Sequence, residues 1–113
     1  MQDLEWNGQV NRIAEAIHRC ALQKGWWDRD RNFAELVALM HSELSEALEE
    51  WREDKPPRYF SRDKPEGWAT ELIDCVIRIL DALAHARVDV ENTLRSKMQY
   101  NEGRPYRHGG KRA

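Results

Sequence analysis

The sequence contains little that would build a disulfide-linked or membrane-spanning protein. It has two cysteines, Cys20 and Cys75, in 113 residues. Both fall in apolar helical patterns, so we expect buried thiols and neither a disulfide nor a zinc site. No apolar run approaches the roughly 18 residues that a membrane span requires, and the start, MQDLEWNGQV, shows no basic segment or apolar signal core. We therefore expect a cytoplasmic protein with no membrane contact.

Strand-like alternation, solenoid repeats and low-complexity tracts are also missing from the sequence. Its 41% hydrophobic and 34% charged residues are typical of a helix-rich globular protein. The net charge of −2 gives no indication of a polyanionic partner, and we expect no nucleic-acid polymer. We predict a single domain over residues 1–113, with a basic tail at 101–113 that is mobile without ligand. A chain this small leaves much apolar surface to cover, so pairing of subunits is expected.

Apolar residues at three- and four-residue steps predict four helices and an all-α fold. The predicted ranges are 4–24, 32–54, 63–83 and 90–100. Asn32 with Glu35 has capping-box spacing, Asp63 with Glu66 gives a second start signal, and Asp89 caps the last helix. The basic, aromatic connector PPRYFSRDKPEG before the third helix is expected to be a solvated loop.

Two pairs of acidic residues stand three apart within the second and third predicted helices. Glu43 and Glu46 lie in MHSELSEALEEWR, and Glu71 and Asp74 lie in ELIDCVIRILD. Residues three apart project from the same side of a helix, so each helix presents two carboxylates as a unit. The third helix is apolar nearly all round and is expected to be central, where carboxylates need a partner charge or a metal. An all-oxygen ligand set suits Mg²⁺, with Mn²⁺ as its substitute.

The two acidic motifs resemble the Glu-x-x-Glu and Glu-x-x-Asp signature of the MazG-like nucleotide pyrophosphohydrolases, in the all-α NTP pyrophosphatase superfamily. The similarity extends to LVALMHSELSEALEEWR and to the ending from Lys97 to Lys111, and covers about residues 26–111. It implies a four-helix bundle completed by subunit pairing, as a homodimer or a dimer of dimers. It also implies hydrolysis of a (deoxy)nucleoside triphosphate between the α and β phosphates, giving the monophosphate and pyrophosphate.

The resemblance also implies roles for single residues. The Mg²⁺ ligands would be Glu43, Glu46, Glu71 and Asp74. Bound cations would neutralise phosphate oxygens and lower the pKa of a water molecule. A carboxylate would then take the second proton of this water, and the catalytic candidates, among which the sequence does not choose, are Glu43, Glu46 and Glu50.

Substrate contacts are predicted at both ends of the chain. Basic residues of the last helix and tail would meet the phosphate charge, and a tryptophan of the first connector would stack on the base. The substrate-binding candidates are Trp26, Trp27, Lys97, Tyr100, Asn101, Arg104 and Lys111. Arg78 is instead expected to be the structural counter-ion of Asp81.

Two alternatives use the same acids differently. A di-iron or di-manganese bundle needs two Glu-x-x-His motifs, and the sequence has one, from Glu15 to His18. A non-catalytic helical module for oligomerisation or partner binding would use the acids only in ion pairs. Under the metal hypothesis, Glu71 and Asp74 lie in the most apolar surroundings, and their loss is expected to change metal binding and stability most.

Overall fold

The computed structural model describes residues 4–106, which form four helices and one short antiparallel hairpin. The elements in chain order are α1 (Gln9–Gln23), α2 (Phe33–Arg52), β1 (Tyr59–Ser61), β2 (Lys64–Glu66), α3 (Trp68–His85) and α4 (Val90–Glu102). α3 is central, since α1, α2 and α4 all pack against it. The mainly helical class with four helices is confirmed. None of the helices within 4–106 is long and apolar enough to cross a membrane.

The predicted caps of α2 and α4 are confirmed. The Asn32 side chain accepts a hydrogen bond from the Ala34 amide over 2.7 Å, and the Asp89 side chain accepts one from the Asn92 amide over 3.0 Å. Glu35 does not complete the capping box by reaching back to Asn32. Its carboxylate instead lies 2.6 Å from an Arg29 nitrogen and 3.3 Å from an Arg31 nitrogen. Competition from two arginines explains the missing half of the motif.

The connector before α3 is a hairpin and not the expected loop. Tyr59 pairs with Glu66 across β1 and β2, and the turn residues Arg62 and Asp63 both have left-handed backbone angles, φ 50° and 69°. Two such residues in succession match the twist of a tight hairpin. Asp63 therefore belongs to this turn, and its predicted role as a helix start is wrong. α3 begins five residues later, after Gly67.

The single chain buries few apolar side chains. Among the residues in 4–106, the buried hydrophobic ones are Ala14, Ala47, Cys75 and Val90, and no large side chain is fully enclosed. α3 was expected to be covered on several sides, yet Ile73 is 56% exposed. Other exposed apolar residues on α2 and α3 include Leu44, Leu48, Trp51, Leu72, Val76 and Ile77. We call these six residues and Ile73 the apolar face. Apolar surface of this extent typically marks an interaction site.

Both cysteines are free thiols, in agreement with the sequence analysis. Cys75 is buried as expected, and its Sγ lies 3.5 Å from the carbonyl oxygen of Met40. Cys20 is exposed, so its predicted burial is wrong for the single chain. The reason is its position on the side of α1 that borders an open cavity, described below.

The N-termini of α1 and α4 are joined by reciprocal hydrogen bonds. The Gly8 and Val10 amides donate to the two oxygens of the Glu91 carboxylate over 2.6 and 2.9 Å. In return, the Glu91 amide donates to Asn11 over 3.0 Å, and the Asn11 side chain donates to Asp89 over 3.0 Å. The first amides of a helix have no partner within it, and the N-cap residue Gly8 has no side chain to accept from them. Asn7 accepts from the Gln9 amide over 3.2 Å, which leaves the Val10 amide in need of a cap. The buried Glu91 carboxylate supplies that cap.

We expect Glu91→Ala to lower the free energy of unfolding by about 2 kcal/mol, because it removes charge-assisted hydrogen bonds and leaves amides unpaired. Urea denaturation followed by circular dichroism measures the loss. The matched control is Glu49→Ala, at an exposed glutamate of α2, where a change within about 0.5 kcal/mol is expected. Equal losses in the two variants would contradict the capping role.

Candidate metal centre

The candidate metal centre lies where α2 faces α3. Carboxylate oxygens of Glu43, Glu46 and Glu71 lie within 4.8 Å of one another, and we call these three residues the acidic cluster. Among residues 4–106, no other group of three or more His, Cys, Asp or Glu side chains meets this spacing. Three hard oxygen donors at this separation could hold a divalent cation. The i, i+3 spacing of Glu43 and Glu46 places both side chains on the side of α2 that faces α3.

Burial differs among the four predicted ligands. Glu43 is 7% exposed, Glu71 and Asp74 are half-buried, and Glu46 is exposed. By exposure Glu43 is the most enclosed of the four, while loss of hydration is the largest cause of the raised pKa values of Glu71 and Asp74, so the expectation that these two have the most apolar surroundings stays a prediction. Much of the apolar surface of α3 is open to solvent, whereas Glu43 is enclosed between α2 and α3. Asp74 lies one turn beyond Glu71 and is not part of the acidic cluster.

Crowding of the carboxylates shows in their pKa values. Loss of hydration is the largest cause that raises the pKa of Glu71 to about 7, and a hydrogen bond and repulsion from Glu46 add to it. Burial and then the Glu43 charge also raise the pKa of Asp74, while the Arg78 charge lowers it. Without metal, the cluster therefore retains a proton close to neutral pH. A divalent cation has to displace this proton when it binds.

Arg78 pairs with the acidic cluster and not with Asp81, so the predicted Arg78–Asp81 pair is wrong. Its Nε donates to Glu43 Oε1 over 2.8 Å. Asp81 is buried and instead lies 2.7 Å from His18 Nδ1 and accepts from Trp27 Nε1 over 3.0 Å. Both residues lie on one side of α3, but Arg78 reaches towards α2 and Asp81 towards α1. The sequence linked His18 only with Glu15, whereas its partner in the structure is 63 residues away.

The two connector tryptophans have different surroundings. The Trp27 ring stacks on His85 with centroids 3.7 Å apart and planes 5° apart, while its nitrogen donates to Asp81. The Trp26 ring carries two guanidinium groups, that of Arg31 at 3.9 Å and that of Arg78 at 4.9 Å from its centroid. Trp26 also lines the cavity beside the acidic cluster. Of the two, Trp26 is better placed to contact a ligand there.

A cavity of about 540 Å³ opens between α1, α2 and α3 beside the acidic cluster. Its charged lining includes Glu43, Asp74 and Arg78. The charged residues Lys24 and Asp81 also line it, and the rest of the lining consists of Ile17, Cys20, Ala21, Trp26, Leu36, Leu39, Met40 and Ile77. This volume lies within the usual range for small-molecule sites, which are mostly apolar with a few polar groups.

Glu50 lies outside the acidic cluster. Its carboxylate accepts a hydrogen bond from the Tyr59 hydroxyl over 2.9 Å and lies 3.6 Å from Lys55 Nζ. Burial and the Glu50 hydrogen bond raise the pKa of Tyr59. These contacts attach the end of α2 to the hairpin, so Glu50 has a structural partner in place.

The predicted phosphate contacts lie on α4 and beyond. Lys97 Nζ lies 4.9 Å and the Arg104 guanidinium carbon 5.5 Å from the centre of the Tyr100 ring, and Asn101 is exposed. Within residues 4–106, α4 contacts α1 and α3 but not α2. These residues therefore are not brought against the α2 half of the acidic cluster, and their substrate role stays a prediction. Lys111 lies outside the described residues.

Comparisons of the chain with protein-family models, curated proteins and solved structures found no match. The resemblance to MazG-like enzymes therefore depends on the motif residues themselves, and the assignment to that family stays a prediction. The geometry of the acidic cluster is an independent observation. The three carboxylates of the acidic cluster come from two helices and lie close together whether or not the chain belongs to that family.

Without divalent metal, we expect the free energy of unfolding to fall as the pH rises from about 4.5 to about 7, the ordinary and raised pKa values of Glu71. In this window the folded chain binds more protons than the unfolded chain, and stability then falls with pH. Solvent screens this partly exposed carboxyl, so we expect a fall of about 1 kcal/mol. Urea denaturation across this pH range measures it.

The control is Glu71→Gln, which removes the titrating group and should flatten this part of the pH profile. Saturating Mg²⁺ should oppose the fall in the wild type, because the metal binds the deprotonated carboxylates. The same pH profile for both proteins without metal would show that Glu71 is not the group responsible.

Proposed function

We propose that this protein is a MazG-like, Mg²⁺-dependent pyrophosphohydrolase that converts a (deoxy)nucleoside triphosphate to its monophosphate and pyrophosphate. The observation that carries the proposal is the meeting of Glu43, Glu46 and Glu71, of which Glu43 also lines a cavity of about 540 Å³. A nucleoside triphosphate needs cations at its phosphate groups and a largely apolar pocket for its nucleoside. The acidic cluster and the cavity offer the two side by side.

The acidic residues have distinct parts in this proposal. Glu43, Glu46 and Glu71, with Asp74 beside them, would hold the cations. When bound, Mg²⁺ would neutralise phosphate oxygens and supply a water molecule of lowered pKa. Among the candidate bases, Glu43 is paired with Arg78 and Glu50 with Lys55 and Tyr59. Glu46 is exposed and has no cationic partner among the described residues, so we favour it as the proton acceptor.

The cavity would take the nucleoside. Its apolar wall would shield the base from water, and the Trp26 ring, over which the Arg31 and Arg78 guanidinium groups lie, would contact the base at the cavity wall. Clearing of aberrant nucleotides or lowering of a nucleotide pool would both use this reaction. The proposed setting is the cytoplasm, where nucleoside triphosphates and Mg²⁺ are both present.

The apolar face supports pairing with a second copy of the chain, as a dimer or a dimer of dimers. Ile73 and Trp51 are 56% and 64% exposed in the single chain, and burial of such side chains is the main driving force for association. The same face also supports the alternative function, a non-catalytic module for oligomerisation or partner binding. Only the catalytic proposal gives the acidic cluster a metal-dependent role.

We expect the protein to release pyrophosphate from at least one nucleoside triphosphate with Mg²⁺ or Mn²⁺. Glu46→Gln and Glu71→Gln should each lower the rate at least about 100-fold, because each removes a charged ligand oxygen. A pyrophosphate assay over common and modified triphosphates measures this. Glu49→Gln, at an exposed position on α2, should keep the wild-type rate. Lack of cleavage with every triphosphate and both metals would contradict the proposed reaction.

We expect size-exclusion chromatography with light scattering at micromolar concentration to give a dimer or tetramer. Ile73→Lys places a charge on the apolar face and should shift the protein towards monomer. The control is Leu22→Lys, where the wild-type leucine is 48% exposed but belongs to α1, which contributes no residue to this face. A monomeric wild type would contradict the pairing of subunits.

A further inference from the structure

Arg78 keeps most of its hydrogen-bond donors unused. Its Nε donates to Glu43 Oε1 over 2.8 Å, and its side chain is 29% exposed. Within residues 4–106, Nη1 and Nη2 of Arg78 donate to no protein acceptor. A guanidinium has five N–H donors in a rigid planar arrangement that matches the oxygens of a phosphate or carboxylate. Four of these donors therefore remain for a ligand.

The position of Arg78 connects the acidic cluster with the cavity. It pairs with Glu43, a member of the cluster, and it also lines the cavity, with its guanidinium 4.9 Å from the Trp26 ring centre. Arg31 lies over the same ring but is already engaged, since it donates to the Trp26 carbonyl over 2.7 Å and to Glu35 over 3.3 Å. Arg31 does not line the cavity, so Arg78 is the arginine of this pair that can meet a ligand there.

A divalent cation and Arg78 would compete for the same negative charge. The guanidinium neutralises Glu43 in the metal-free protein, and a cation bound to that carboxylate would repel a positive group 2.8 Å from it. Repulsion of this kind weakens the Arg78–Glu43 contact as the metal binds. The released guanidinium would then have all five donors available in the cavity.

We propose that Arg78 couples cation binding to anion binding, by holding Glu43 without metal and offering its guanidinium to a phosphate group once the metal has bound. This inference rests on the proposed function for its cation site. The bidentate geometry favours a phosphate oxygen pair over a single point charge. The phosphate could belong to the intact nucleotide or to pyrophosphate, and the two sources are separated by the probes below.

The first measurement is calorimetric titration with Mn²⁺ in the absence of any anion. Arg78→Met keeps the apolar stem but removes the charge, and should bind Mn²⁺ about tenfold more tightly than the wild type. Arg78→Lys keeps the charge and should stay within about threefold of the wild type. The matched control, Arg31→Met, removes a charge from the same indole without touching the acidic cluster and should leave the Mn²⁺ affinity unchanged.

The second measurement is anion binding at one fixed, saturating concentration of free Mn²⁺, so that chelation in solution is the same for every protein. The probes are inorganic pyrophosphate and a nucleoside triphosphate with a methylene bridge between its α and β phosphates. Arg78→Met should bind at least one probe about tenfold more weakly, and Arg78→Lys should also bind it more weakly because an ammonium lacks the planar arrangement. Weakening of pyrophosphate alone identifies the product as the ligand, and weakening of the analogue identifies the nucleotide.

The outcomes separate this inference from the proposed function. If wild type and Arg78→Met bind Mn²⁺ with equal affinity, the coupling is overturned while the cation site stands. The coupling is also overturned if Arg78→Met binds Mn²⁺ more tightly but binds both anion probes with wild-type affinity. No Mn²⁺ binding in any protein overturns the cation site and the coupling together. If circular dichroism shows that Arg78→Met is unfolded, Arg78→Lys decides: wild-type affinity for both probes overturns the inference, and weakened binding supports it.

Discussion

Repulsion between carboxylates across the contact of α2 with α3 is the constraint on which the candidate site depends. Glu43, Glu46 and Glu71 lie within 4.8 Å of one another, which isolated acids in water would not maintain. Packing of the two helices holds them there, and two features offset the repulsion without metal. One is the raised pKa of Glu71, which retains a proton, and the other is the Arg78 guanidinium beside Glu43. A divalent cation could replace both at once.

The same two helices carry the acidic cluster and the apolar face. Within residues 4–106, the buried hydrophobic side chains are only small or medium in size, so the single chain has a weak core of its own. A short helix gains most of its stability from packing. Contact with a second copy through Ile73 and Trp51 would therefore stabilise α2 and α3 themselves. The short distances between the carboxylates of the acidic cluster would then depend on the pairing of two chains as well as on the fold of one chain.

The features that the sequence predicted depend on residues close together in the chain. Caps at Asn32 and Asp89 and the i, i+3 acid pairs need only helical geometry, so their local spacing was sufficient. The hairpin was missed because Arg62 and Asp63 adopt left-handed angles without the glycine that usually indicates such a turn. The partners of Arg78 and Glu91 are 35 and more than 80 residues away in the chain, and no local pattern encodes such pairs.

One stripe of charged residues along α3 organises the whole site. Glu71 completes the acidic cluster, and Asp74 and Arg78, one and two turns further on, border the cavity. Asp81, one turn beyond Arg78, binds His18 and Trp27 and so fixes α1 and the first connector against α3. Because α1 forms the far wall of the cavity, this buried contact sets the width of the space that faces the carboxylates. The exposed apolar residues of α3 lie between these charged positions in the sequence, so a single helix contributes to the acidic cluster, the cavity and the apolar face.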